Sequence, residues 1–332
     1  MNVARAMSNT WDYRFAFRVE RRDDVPVEFR VSYDRLVGTC GLPHFGLFSP
    51  AMEDPGFILS HWLPPKIILL FSESLVLFSL DTRSDQVLTF ELGREDFLGY
   101  GFAEFLLNCW FTLYPGPAAN SGVQIRFPSR ASQHYVELAR ILLNWSEWEN
   151  GAIRNSPQSS RAISGLPPKF SSFLEGHTEF GPVSEFFFQP ATELRKKREE
   201  TWANALLLVT RDSIVALSDN YRGESSQYGI EMTHLPLRCV RSVDWADPHD
   251  GRQSAITVCL KGAKTEQRLS WAVYSGLKPY AVRWVEAVES AVKALRREYS
   301  HPEELIEQRG QRTTQSTSLL GGAGNHGNSR SD

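Results

Sequence analysis

Residues 205–219 read ALLLVTRDSIVALSD, and residues 67–81 read IILLFSESLVLFSLD. Laid side by side without a gap, Leu69 meets Leu207, Leu70 meets Leu208, Val76 meets Ile214 and Asp81 meets Asp219. Each stretch is an apolar run, a short polar break and a second apolar run, the pattern of two strands joined by a tight turn. Further strand-like segments follow each copy, and then one amphipathic helix. The chain therefore reads as two β-rich units of the same build.

The patterns around the first copy extend this view. Trp11, Tyr13, Phe15, Phe17 and Val19 alternate with polar residues, as do Val27, Phe29, Val31 and Tyr33 beyond the break at 21–24. Period-two patterning on both sides of a break predicts an N-terminal β-hairpin over 10–33. Residues 38–65 are rich in Gly, Pro and aromatics, with a strand expected at 57–62. Strands are expected at 86–90, within 96–114 and at 123–127. Tyr135, Leu138, Ala139, Leu142 and Trp145 then recur at helical spacing, so this helix has one apolar face to lay on a sheet.

Residues 150–176 hold six serines and three prolines with no surviving period, and are expected to be a flexible interdomain linker. The second unit is expected over 177–300, after a first over 10–149. It has strands at 183–189, 255–260 and 268–273 and a bent strand over 233–245. A long helix carries Leu277, Tyr280, Ala281, Trp284, Val288, Ala291 and Leu295 on one face. Pro279 falls in its first turn, where a missing N–H costs little. Residues 301–332 read as a short helix and a disordered Ser/Thr/Gly/Asn-rich tail.

The bulk numbers exclude several classes. A net charge of −3 argues against wholesale nucleic-acid binding. The first 150 residues hold 13 Lys and Arg against 18 Asp and Glu; the remainder hold 23 against 21. An anionic partner would thus meet the second half. Of the four cysteines, Cys109, Cys239 and Cys259 lie in apolar strand-like runs and are expected to be free, packing as small hydrophobes. Met1 to Thr10 lacks the apolar core of a secretory signal, and no apolar run approaches the roughly 20 residues of a membrane span. The expectation is a soluble, cytoplasmic protein without a transmembrane segment, any membrane contact being peripheral.

At residues 206–288 the sequence resembles a known family. LLVTRDSIVAL, at 207–217, looks like the second and third strands of bacterial pleckstrin-homology-like and GRAM-like domains. LPLRCVRSV, at 235–243, resembles that family's I-P-L-x-x-I-x-x-V strand. The resemblance covers residues 183–295, and more weakly 57–145. It implies an α+β fold of two PH-like domains, each a β-barrel or pair of orthogonal sheets closed by a C-terminal amphipathic helix. Members bind lipids, peptides or proteins, and the fold does not fix which.

One charged run invites a function. Arg195, Lys196, Lys197 and Arg198 stand in succession, and in lipid-binding members of the family the connection between the first two strands holds the basic residues that grip phosphate headgroups. Glu193, Glu199 and Glu200 offset the charge, and the run also fits a solvated turn with internal ion pairs. Asp244, Asp247, His249 and Asp250 cluster at a turn but lack a calcium-loop spacing. Nucleophile elbows, phosphate loops, dinucleotide fingerprints and paired zinc-ligand motifs are absent from the sequence. The expectation is a non-enzymatic tandem module with no cofactor, metal or catalytic residue, binding a protein or peptide as scaffold or regulator. The alternative is a peripheral binder of anionic lipid through residues 195–198; an enzyme with an unrecognised site is the third reading.

Overall fold

The computed structural model describes residues 15–54, 61–81, 84, 86–105, 108–115, 122–145, 165–176, 183–193, 201–202, 204–221, 224–225, 229–246 and 254–300. The chain is mainly β with four helices among these residues. In order, the principal elements are β1 (Phe17–Arg18), α1 (Val27–Cys40), β2 (Phe45–Ser49), β3 (Lys66–Leu70), β4 (Ser74–Asp81), β5 (Gln86–Gly93), β6 (Gly99–Phe105), β7 (Asn108–Tyr114), β8 (Val123–Pro128) and α2 (Ser132–Trp145). The second half adds α3 (Pro168–Gly176), β9 (Val183–Gln189), β10 (Ala205–Thr210), β11 (Ser213–Ser218), β12 (Gly229–Pro236), β13 (Val240–Ala246), β14 (Ser254–Lys261), β15 (Glu266–Val273) and α4 (Lys278–Ser300). Short two-stranded ribbons pair 52–54 with 61–63, 192–193 with 201–202 and 220–221 with 224–225.

One plan occurs twice. A helix is followed by four strands in meander order, then three more, then a closing helix: α1, β2–β5, β6–β8, α2, and again α3, β9–β12, β13–β15, α4. The sheets are not closed into barrels, against the barrel expectation. The three strands of the first copy instead join the four of the second. Strand β6 pairs antiparallel with β12, Tyr100 opposite His234 and Phe105 opposite Gly229, giving a seven-stranded sheet in the order β8-β7-β6-β12-β11-β10-β9. The first copy's four strands, extended by β1, and the second copy's three strands stay separate.

Within each copy the corner between first and seventh strands is bridged by a side chain, not by a ladder. Ser49, the last residue of β2, donates from Oγ to the carbonyl of Arg126 in β8 (3.5 Å). Gln189, the last residue of β9, donates from Nε2 to Ala272 O in β15 (3.4 Å) and accepts the Tyr274 N–H (2.9 Å). Both residues are buried.

The seven-stranded sheet is a wall shared by two cores. On one side Tyr100, Phe102, Phe111, Leu113, Ile125 and Phe127 form the first copy's interior with Tyr135, Leu138, Leu142 and Trp145 of α2. On that same side Leu206, Leu208, Val215, Leu217 and Met232 present the second copy's outer face, and Phe170 and Phe173 of α3 belong to the same core. The opposite side carries Leu207, Val209, Ile214 and Leu235 into the second interior with Ala281, Trp284 and Val288 of α4. Helix α1 plays the part of α3 in the first copy: Phe29 and Tyr33 pack on Ile67, Leu69, Val76 and Phe78, the outer face of β3 and β4.

Several expectations are corrected here. The N-terminal hairpin does not form: residues 10–14 lie outside the described residues, only Phe17–Arg18 is strand, and 27–40 is helix. Four apolar residues two apart fit a helix as well as a strand, because spacing of four repeats nearly one turn while spacing of two reverses the face. Phe29 and Tyr33 take the inner side, while Val27 and Val31 are exposed at 59% and 71%. Gly41, at φ 80°, ends the helix with its N–H on Val37 O. The linker expectation fails at 168–176, which is α3 with Phe170 and Phe173 buried; residues 146–164 lie outside the described residues. Tyr280, placed on the apolar face of α4, is 66% exposed, and Val285 and Val292 are buried instead.

The two repeated hairpins align one residue away from the gapless match. Their turns lie at Ser72-Glu73 and Arg211-Asp212, with Leu70 opposite Leu75 and Val209 opposite Ile214. Leu69 therefore corresponds to Leu208, not Leu207. A one-residue slip exchanges the two faces of a strand. With it applied, Ile68, Leu70, Leu75 and Leu77 match Leu207, Val209, Ile214 and Ala216, each set pointing into its own copy.

Candidate functional site

The basic run Arg195, Lys196, Lys197 and Arg198 lies outside the described residues, between the paired segments 192–193 and 201–202, in the connection from β9 to β10. Asp247, His249 and Asp250 lie outside them too, while Asp244 is an exposed residue of β13. Among the described residues no three His, Cys, Asp or Glu side chains gather where a metal could be held. No helix there is long and apolar enough to cross a membrane.

A groove of about 410 Å³ lies on the outer face of the three-stranded sheet, lined by Arg241, Ser242, Asp244, Thr257, Cys259, Glu266 and Arg268. Alternation builds it. Ile256, Val258 and Leu260 of β14 point into the core, which turns Thr257 and Cys259 outward. Register then places Asp244 opposite Thr257 and Ser242 opposite Cys259 on one flank. On the other, Thr257 faces Ser270 and Cys259 faces Arg268. A bulge between Val240 and Ser242 locally resets the pairing of β13, with Arg241 also reaching the groove.

The groove is balanced in charge. Arg241 Nη1 donates to Glu266 Oε2 at 3.0 Å, Ser242 Oγ donates to Asp244 Oδ2 at 3.2 Å, and the Thr257 and Ser270 hydroxyls share a hydrogen at 2.9 Å. Cys259, 8% exposed, lies between them. Two guanidinium and two carboxylate groups thus face one polar surface of hydroxyls. The sequence contains all of these residues in alternating strands, but only the sheet register brings them to one face.

The corresponding face of the first copy differs. There Gly101 and Ala103 of β6 lie beside Trp110, Thr112, Gln124 and Arg126, and the Arg126 guanidinium sits 5.4 Å from the Trp110 ring centre. Arg126 is buried at 7% exposure, so its charge is covered on this face.

Two basic groups, His234 buried and Lys66 partly buried, complete the electrostatics. His234, at the β6–β12 seam, stacks on Tyr100 with ring centres 5.2 Å apart; burial pushes its imidazole down to about 3. Lys66 opens β3, donates to Pro64 O at 3.0 Å and is pushed down to about 8 by burial. The thiols of Cys109, Cys239 and Cys259 are buried, and Cys40 is exposed. No family model matches the chain, and no curated protein is significantly similar to it.

Proposed function

We propose that the chain is a non-enzymatic tandem PH-like module that binds a protein or peptide, with the β13–β15 groove of the second copy as its contact surface. The PH-like assignment is supported by the order of four strands, three strands and closing helix, found twice. The peptide assignment rests on one observation, the charge balance of the groove. An anionic lipid headgroup gains little from a surface where Asp244 and Glu266 offset Arg241 and Arg268. A polypeptide carries charges of both signs and backbone groups that Ser242, Thr257 and Ser270 can meet. As a scaffold or regulator, the module would hold one such segment on a sheet face built into a rigid body.

The second reading, peripheral binding of anionic lipid, is motivated by the sequence run 195–198 alone. One experiment separates the two. Peptides selected from a random displayed library should lose binding to Arg268→Glu, and the protein should not pellet with phosphatidylserine vesicles. If no peptide is enriched, and vesicle pelleting is seen that the fourfold change of Arg195, Lys196, Lys197 and Arg198 to Glu abolishes, the lipid reading replaces the peptide one.

A further inference from the structure

The two copies use their sheet edges differently, and the difference points to a contact between molecules. In the second copy the outer edge of the fourth strand, β12, is taken by β6 across six residue pairs. The fourth strand of the first copy is β5, and among the described residues nothing pairs with its outer edge. An open strand edge offers a row of unmatched N–H and C=O groups, and proteins ordinarily blunt it with lysine, proline, a bulge or a covering group.

The other edges show such devices. Strand β13 has its bulge, and Arg296 Nη2 donates to Val240 O (3.1 Å) and Arg241 O (3.5 Å) along it. Strand β9 is irregular between Val183 and Glu185. Strand β8 ends in a proline, and β15 carries Glu266 and Arg268 and is bridged by Gln189. Strand β5, QVLTFELG, has only one such device, the exposed Glu91; α1 approaches the strand, but no strand pairs with its outer edge among the described residues. It pairs with β4 through eight unbroken positions, contains no Lys, Arg or Pro, and leaves Leu88 57% exposed.

We propose that β5 is a self-association edge: two copies of the chain pair their β5 strands antiparallel about a two-fold axis at Thr89, joining two five-stranded sheets into one of ten. The sequence of β5 suits this register. Thr89 meets Thr89, Leu88 meets Phe90, and each Glu91 meets Val87, so the two carboxylates do not face each other. Threonine pairs and apolar pairs are favourable across antiparallel strands. An isologous contact of this kind closes at two chains. The head-to-tail alternative, β5 on β13 of the next molecule, would grow without limit and is opposed by the bulge and the Arg296 contacts on β13.

Sedimentation equilibrium of the full chain over a roughly hundredfold concentration range tests this. The mass should rise from 37.6 kDa to a plateau at twice that value. Thr89→Lys sets like charges opposite each other on the axis and should hold the chain at one copy, as should Thr89→Glu. An equimolar mixture of the two variants should regain the plateau, because Lys then faces Glu. Ala272→Lys, on exposed β15, should behave as wild type. A single-copy mass throughout, growth beyond two copies, a plateau insensitive to Thr89→Lys, or no recovery on mixing would each overturn the proposal.

Discussion

His234 ties the stability of the seam between the two copies to pH. Its ring is buried on β12, opposite and stacked on Tyr100 of β6, and its imidazole is held at about 3 by burial against about 6.5 in an unfolded chain. Because the folded value is the lower one, the unfolded state takes up the proton first as pH falls. The stability this group contributes is fully present above pH 6.5 and is lost as pH falls toward 3. At pH 5 the loss is about 2 kcal/mol, at close to 1.4 kcal/mol per pH unit. The perturbation is His234→Phe, which keeps a ring against Tyr100 and removes the titration. The assay is urea unfolding followed by tryptophan fluorescence at pH 7.5, 6.5, 5.5 and 5. The difference between wild type and variant should grow by about 2 kcal/mol in the variant's favour from pH 7.5 to 5. A difference flat within about 0.5 kcal/mol would show that His234 protonates freely in the folded chain and would refute the burial argument.

Trp284→Ala should cost about 3–5 kcal/mol, read by the same unfolding assay, because Trp284 is fully buried between α4 and the second core. Gly99→Ala should cost about 2–4 kcal/mol: Gly99 has φ +144°, and an added Cβ would stand 2.3 Å from His234 O. Lys66→Met should stabilise the chain by about 1–2 kcal/mol at pH 7, allowing for the partly exposed side chain, and the gain should shrink as pH rises from 8 to 10.5. Limited proteolysis, expected from sequence to fall within 151–176, should spare the bonds around Phe170 and Phe173, with mass spectrometry of the first fragments as the check.

Much of the fold was legible where one face of an element meets water. Helices α2 and α4 announce themselves through Tyr135, Leu138, Leu142, Ala281, Trp284 and Val288, all buried. Both repeated hairpins could be read, yet their register slipped by one. Strands β3, β4, β10 and β11 are apolar on both faces, so nothing in their composition says which face is inner. Strand β2, Phe45 to Ser49, was missed for the same reason: all five residues are buried, Phe45 and Leu47 in one core and Phe48 in another. Helix α3 was hidden because its few apolar residues, Phe170, Phe173 and Leu174, stand within a Ser- and Pro-rich stretch. The β6–β12 pairing joins residues about 130 positions apart, and no local pattern encodes such a partner. The groove was invisible for a related reason: Arg241 and Asp244 lie on β13 and Glu266 and Arg268 on β15, and only the register across β14 brings them to one face.

The β6–β12 ladder makes the two copies one body, the platform on which the groove and the β5 edge depend. Hydrogen–deuterium exchange of the full chain, resolved to peptides covering 99–105 and 229–236, tests it most directly. Both segments should exchange last, at one common rate that tracks global unfolding in urea. Exchange of either segment well ahead of its own copy's core strands, 109–113 in the first or 214–217 in the second, would show that the seam opens independently and would contradict it.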